Sequence, residues 1–424
     1  MMLIFFVLLA VLLVSGLPMF ISLSGAVGGV LLLQGEPMAV IAHRMFGGLD
    51  KFALMSIPFF ILAANLMGRG GISVRVIRLA NALVGPIHGG LGITAVVACM
   101  FFAAISGSAP ATVIAIGALM LPALVKAGYS KDFSIGLITA AGSLGIVIPP
   151  SVVMIVYGAA TGVSVGKLFM AGFGAGGVMG LIYIVYAWWY GRKHGLKGDP
   201  WSKKEIWTAT KDAAWGLGVP GLILGGIYGG IFTPTEAAAV AVIYSLLVSL
   251  LVYREIGIRE VWEIAIDSAV TTAQVMVILA AANVLAYFFT VSRFTTAITQ
   301  SVVSLGANAT MVYLLVNIVV LIAGMFVDGS SIVMILGPLL LPIALKVGID
   351  PVHLGIVLTV NTAIGMFTPP FGLNLFAAVG VANQSILKIS KAVLPFILVS
   401  IIALLIVTYV PAVSMFLPNL LGGK

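Results

Sequence analysis

Charge and cysteine are both scarce in this chain. Of its 424 residues only 8% are Asp, Glu, Lys or Arg, against about a quarter in a soluble domain. So few charges cannot cover a water-exposed surface, which excludes a soluble globular protein. A single cysteine, Cys99, rules out an intrachain disulfide, a cysteine-based metal cluster and dithiol redox chemistry. The four histidines, His43, His88, His194 and His353, show no paired ligand spacing. No basic residue precedes Arg44, so the apolar stretch from Met1 to Gly16 lacks the positive region of a cleaved signal and is expected to be a retained span. Gly162 to Lys167 is one residue short of a phosphate loop and has no hydroxyl after the lysine, while the glycine-rich string Gly172 to Gly177 follows no strand. ATPase and dinucleotide chemistry are excluded. The formal charge is +8, but the basic residues are scattered among short loops, which topology explains better than a nucleic-acid partner does.

Apolar residues make up 61% of the chain and the mean hydropathy is +1.22, placing it in membrane lipid. Stretches such as Gly216 to Val252, Ala265 to Val291 and Ala392 to Phe416 reach or exceed the ~20 residues that cross a bilayer core, and ten or more helical segments are expected. The 50 glycines and 19 prolines permit close helix packing and breaks inside protein-lined cavities.

The chain also repeats itself. At one constant separation Gly117 matches Gly337, Pro122 matches Pro342, Lys126 matches Lys346, Gly145 matches Gly365, and Pro149-Pro150 matches Pro369-Pro370. Such internal symmetry marks secondary transporters with a site at the repeat interface. The expected fold is an all-α polytopic membrane protein of two repeats, residues 1–190 and 215–424, joined by a cytoplasmic linker at 191–214. Each repeat has three spans, a re-entrant hairpin (about 91–125 and 311–345), a broken helix (about 133–165 and 352–381) and a last span. If both hairpins return to the side they entered from, the repeats are inverted. Placing the first hairpin's base in the cytoplasm leaves only Arg44, Lys51, Lys167, Arg293, Lys346 and Lys424 outside, a positive-inside bias that puts both termini outside.

Chemistry concentrates where helices must stop. The first tip, Ser106-Gly107-Ser108-Ala109-Pro110, and its counterpart Asp328-Gly329-Ser330-Ser331 lie between apolar limbs, at depths where irregular backbone needs protein or a wet cavity beside it. The breaks Gly145 to Ser151 and Gly365 to Pro370 carry prolines, which remove donors and leave carbonyl oxygens free as sodium ligands. Helix N-termini aimed at one centre favour an anion, so cation and organic anion are expected together. A carboxylate at membrane depth costs several kcal/mol unless compensated, which singles out Asp328. Ser106, Ser108, Ser151, Thr362 and Thr368 could bind ligand or merely backbone. Glu236 fits a capping turn, Asn283, Asn361 and Asn374 fit interhelical contacts, and Arg293 either snorkels at a span end or recognises a carboxylate.

The runs Phe102 to Ser108, Gly145 to Ser151, Thr233-Pro234-Thr235-Glu236-Ala237 and Thr368-Pro369-Pro370-Phe371-Gly372-Leu373-Asn374 resemble the large membrane subunit of tripartite ATP-independent periplasmic (TRAP) transporters, over essentially the whole chain. The resemblance implies a bacterial inner-membrane protein with an elevator fold, sodium-coupled uptake of an organic acid such as a C4-dicarboxylate or sialic acid, a small four-helix membrane partner and a periplasmic substrate-binding protein. Carried over by position, one sodium site would use Ser106, Ser108, Gly145, Ile148 and Pro150, and a second Gly324, Asp328, Thr362, Gly365 and Thr368. Substrate would sit between them near Ser108, Ser151 and Asp328, with Arg293 a further candidate. A stand-alone sodium/carboxylate symporter shares the same inverted-repeat physics. A channel would need a continuous pore in place of two occluding hairpins, and an intramembrane enzyme would need a base beside Ser106 or Ser108.

Overall fold

The computed structural model describes residues 1–198, 200–304, 306 and 308–421; Lys424, assigned above to the outer face, lies outside them. Among the described residues the regular structure is entirely helical, and seven helices are long and apolar enough to cross a membrane. The first repeat opens with Met2–Val14, Met19–Leu33 and Ala39–Leu49, then a 3-10 turn Phe52–Met55 running into Ser56–Arg69, and Ile72–Val84. Its hairpin is Gly90–Ser106 and Ala109–Lys126. Its broken helix is Lys131–Gly142, a 3-10 turn Ser143–Ile146 and Val152–Thr161, and Val165–Lys193 completes it. The second repeat runs Lys203–Tyr228, Pro234–Leu247 with a π turn Val248–Val252, Ile258–Val291 and Phe294–Ser304. Then follow the hairpin Ala309–Gly324 and Gly329–Lys346, the broken helix Pro351–Gly365 and Leu373–Ala382, and the helices Ile386–Tyr409 and Ala412–Leu421.

Both tips and both breaks thus fall where glycine, serine and proline interrupt the apolar sequence, and both Pro-Pro bonds, Pro149-Pro150 and Pro369-Pro370, are cis. The repeats interlock through these elements. Val152–Thr161 packs on Gly329–Lys346, and its counterpart Leu373–Ala382 packs on Ala109–Lys126. Each hairpin's returning limb is therefore covered by the far half of the other repeat's broken helix. Tyr157, fully buried on Val152–Thr161, reaches across to donate to the Pro351 carbonyl at 2.8 Å. Tyr183 meets Ser400 at 2.7 Å between the two last spans. Satisfying these hydroxyls removes the penalty of burying them.

Around this centre lies a second group of helices. Phe5 packs tilted against Phe288 and edge-on against Phe289, fixing the N-terminal helices to Ile258–Val291. Pro234–Leu247 packs along Ser56–Arg69. At one end, Arg69 pairs with Asp267, Arg75 with Glu255 at 2.9 Å, and Arg78 with both Glu205 and Asp212 at 2.7 and 2.6 Å. Exposed pairs of this kind are individually weak, but these all join elements distant in sequence, and the Arg78 guanidinium holds the Glu205 carboxyl below its usual range.

Two boundaries differ from the sequence reading. Residues 191–214 are only partly a linker. Ser202 caps a helix at Glu205 that continues unbroken from Lys203 through 214 to Tyr228, because Lys203 to Ala214 contains neither glycine nor proline. The last span stops at Tyr409, since the residue before Pro411 is pushed out of the helical region, and Ala412–Leu421 folds back onto Val165–Lys193. The short helices Ala39–Leu49, Ile72–Val84 and Phe294–Ser304 are additions to the expected spans.

Candidate functional site

Both hairpin tips open onto one cavity of about 680 Å³, within the range of small-molecule sites. The first tip contributes Ser106 to Ala111 and the second Asp328 to Ser330. The helices beginning at Ala109, Val152, Gly329 and Leu373 all start at its wall. Four N-termini therefore bring positive dipole ends to a shared wall, with some first-turn amides, such as those of Val152 and Ser331, already paired. The one ionisable side chain on the described wall is Asp328. It caps Gly329–Lys346, accepting from the Ser331 amide at 3.1 Å and from the Ser331 hydroxyl. Such an environment suits an anion accompanied by a cation.

Behind the first tip the backbones crowd together. Gly107 is left-handed, and a Cβ there would stand 2.8 Å from the Pro150 carbonyl oxygen. A Cβ on Gly145 would strike the Ser108 carbonyl and stand 2.6 Å from Thr112 Oγ1. Val152 N–H donates to the Gly107 carbonyl at 3.4 Å, stitching tip to break. The hydroxyls of Ser106 and Thr112 are 3.0 Å apart, and Thr112 donates to the Ser108 carbonyl at 2.8 Å. Among the described residues, no hydrogen bond reaches the carbonyls of Ile148 or Pro150. Ser106, Ser108, Gly145, Ile148 and Pro150 therefore belong to one segment pair in which the Ile148 and Pro150 carbonyls are unclaimed among the described residues, a donor set that fits sodium.

The second cluster mirrors it. Gly324 and Gly365 meet backbone to backbone, with a Cβ on Gly324 only 2.8 Å from the Gly365 Cα. A Cβ on Gly329 would lie 3.3 Å from Thr362 Oγ1, so Thr362 packs against the residue that follows Asp328. The Thr362 and Thr368 hydroxyls donate to the Thr359 and Ile364 carbonyls at 2.9 and 2.7 Å, leaving their oxygen lone pairs available. No hydrogen bond among the described residues reaches the Gly324 carbonyl.

Two expected substrate residues stand apart. Ser151 is fully buried, donates to the Ile146 carbonyl at 2.5 Å and caps Val152–Thr161 through the Met154 amide at 3.4 Å. Its hydroxyl repairs the break and does not line the cavity. Arg293 is exposed with positive φ just after Ile258–Val291, about 20 Å along the axis from Ile278 at the cavity wall. Glu236 forms the expected capping box with Thr233, and His353 is buried between the Tyr313 hydroxyl at 2.5 Å and the Val407 carbonyl at 2.9 Å. Sequence reasoning missed Thr112, one turn beyond Ser108, and also Asn65, Thr271 and Gln274, which line the cavity from unbroken helices. Only the spacing of Thr112 from the tip carried a signal.

Residues 6–413 match the family described as the tripartite ATP-independent periplasmic transporter, DctM component. The C4-dicarboxylate TRAP transporter large permease protein of Rhodobacter capsulatus is 43% identical, covering 99% of both chains. The isethionate TRAP transporter permease protein of Oleidesulfovibrio alaskensis is 44% identical over 96% of this chain, which spans 65% of that longer protein. The ectoine large permease of Halomonas elongata is 36% identical, over 96% of this chain and 97% of its own. The crystal structure of the Alcanivorax borkumensis YdaH transporter shares the fold, with a TM-score of 0.64 at 14% identity over 88% of each chain. With the match running nearly end to end and the two tips facing one cavity, this chain belongs to the DctM family of TRAP transporter large permeases, multi-pass membrane transporters and not enzymes.

Proposed function

We propose that this permease imports an organic acid, in the first instance a C4-dicarboxylate, across the bacterial inner membrane on the sodium gradient. The observation that carries the reading is the shared cavity, where four helix N-termini and, among the described residues, a single carboxylate face one space. N-termini attract the substrate's carboxylates, and the free carbonyls behind each tip supply two sodium sites that neutralise the load. The names of the relatives support a carboxylate, with the isethionate and ectoine permeases marking the wider range. The hairpins and broken helices form the interlocked body that moves, and the outer helices form its frame, in an elevator motion. A small four-helix membrane subunit braces the frame and a periplasmic binding protein delivers substrate. The ion-paired end faces the cytoplasm and both termini face out.

Reconstitution tests this directly. Labelled succinate should accumulate under an inward sodium gradient only when both the small subunit and the binding protein are added. Accumulation by the chain alone would make it a stand-alone symporter, and equal uptake in a potassium gradient would remove sodium coupling.

A further inference from the structure

The cavity has two unlike walls. One is made by the tips and broken helices, with the four N-termini, Ser108 and Ser330. The other is made by Ser56–Arg69 and Ile258–Val291, whose polar contributions are Asn65, Thr271 and Gln274. Two of these are engaged within the frame. Asn65 Nδ2 donates to Ser268 Oγ at 2.9 Å, and Thr271 Oγ1 donates to the Asp267 carbonyl at 2.9 Å. Gln274 is exposed and makes no hydrogen bond among the described residues. It lies on the same helix face as Thr271 and Ile278, which also line the cavity. Its amide offers two N–H donors to whatever occupies the space.

We infer that Gln274 is a specificity-determining residue that donates to the distal carboxylate of a short diacid whose proximal carboxylate is held at the hairpin tips. This rests on the reading of the cavity as the substrate site. The N-termini all belong to one wall, so a second anionic group pointing away from them would meet a wall whose described residues include no lysine or arginine. There the Thr271 proton is committed and Asn65 keeps one N–H beyond its bond to Ser268, and Gln274 is the side chain with both N–H donors unengaged among the described residues. A buried acceptor left without a donor costs affinity, and Gln274 removes that cost. A monoacid has no distal group and gains nothing from it. Neutrality matters too, because the contact spans the two walls and must break when one slides past the other. An amide can exchange the carboxylate for water, whereas an ammonium or guanidinium in this low-dielectric space would hold it.

The test uses the purified complex of this chain with its small subunit, in sodium chloride, measuring binding of radiolabelled succinate and its displacement by butyrate. Gln274→Ala should weaken succinate about tenfold and leave butyrate within about twofold, so the preference for the diacid shrinks. Gln274→Glu should weaken succinate further by facing it with a like charge. Gln274→Asn, keeping the amide, should recover part of the loss. Ser108→Ala, at the proximal end, should weaken both acids. If Gln274→Ala leaves succinate unchanged, or weakens both acids equally, while Ser108→Ala acts as stated, the inference falls and the cavity reading survives. If Ser108→Ala is also silent, the cavity reading falls with it.

Discussion

At the first hairpin tip the backbone itself sets what substitution can do. An added methyl at Gly145 meets the Ser108 carbonyl and the Thr112 hydroxyl, whereas one at Gly177 meets nothing within 4 Å. Gly145→Ala should therefore raise the sodium concentration for half-maximal succinate uptake about tenfold or more, which corresponds to about 1.4 kcal/mol of lost ion binding. Gly177→Ala should leave it unchanged; equal behaviour of the two variants would detach the ion site from this crossing. Asp328 permits a cleaner separation of charge from fold. Asparagine caps helices as well as aspartate does, so Asp328→Asn should keep its melting temperature yet lose sodium-driven uptake, while Glu236→Gln, changed at an exposed capping box, should retain most of it. Asp328→Ala should in addition lose about 1 kcal/mol of stability with the cap. Ser106, Ser108 and Asp328 were legible in sequence because hydroxyls and an acid stand out between apolar limbs. Ser151 carries the same signature, yet its hydroxyl serves the backbone, a distinction that composition cannot make. Gln274 gave no signal because its helix is unbroken.

Among elements, the hairpins and broken helices were readable because glycine and proline punctuate them, and their limits differ from the expected ones by a few residues. The short helices Ala39–Leu49 and Ile72–Val84 were not, since their N-caps, Met38 and Gly71, make no side-chain hydrogen bond. Between the first of these and the 3-10 turn Phe52–Met55 sits Lys51, whose ammonium donates to the Ala159 carbonyl at 2.8 Å. Ala159 lies in the last turn of Val152–Thr161, where unpaired carbonyls and the negative dipole end favour a cation. This bond joins the frame to the proposed moving body, so its loss should ease their separation. Lys51→Met, which keeps the apolar stem, should speed the reaction of a cysteine placed at Ala159 with a water-soluble maleimide by about threefold or more, reflecting an interaction on the order of 1 kcal/mol. An unchanged rate would mean that Lys51 is only a surface tether.

For the whole molecule, the repeat gave the sequence reading its architecture, since matched glycines and prolines can be compared without knowing any contact. How the repeats interlock was not available that way. The packing of Val152–Thr161 on Gly329–Lys346, and of Leu373–Ala382 on Ala109–Lys126, depends on side chains meeting across long sequence separations. That interlock binds both tips and both breaks into one unit, and the frame meets this unit along its own surfaces, among them Ile258–Val291 against Gly329–Lys346 and Lys51 with Ala159. Within the frame, Arg69 pairs with Asp267. If the unit slides as a body, a covalent bridge between frame and unit must arrest transport, and one inside the frame must not. Cysteine pairs at Lys51 and Ala159, and at Arg69 and Asp267, joined by a short bifunctional maleimide, compare the two cases. The native Cys99 is buried and contributes little background reaction. Cross-linking the first pair should reduce succinate uptake to the level of empty vesicles, and cross-linking the second should leave at least about half. Full transport with the first pair linked would require the tips to open in place, with no displacement of the unit against its frame.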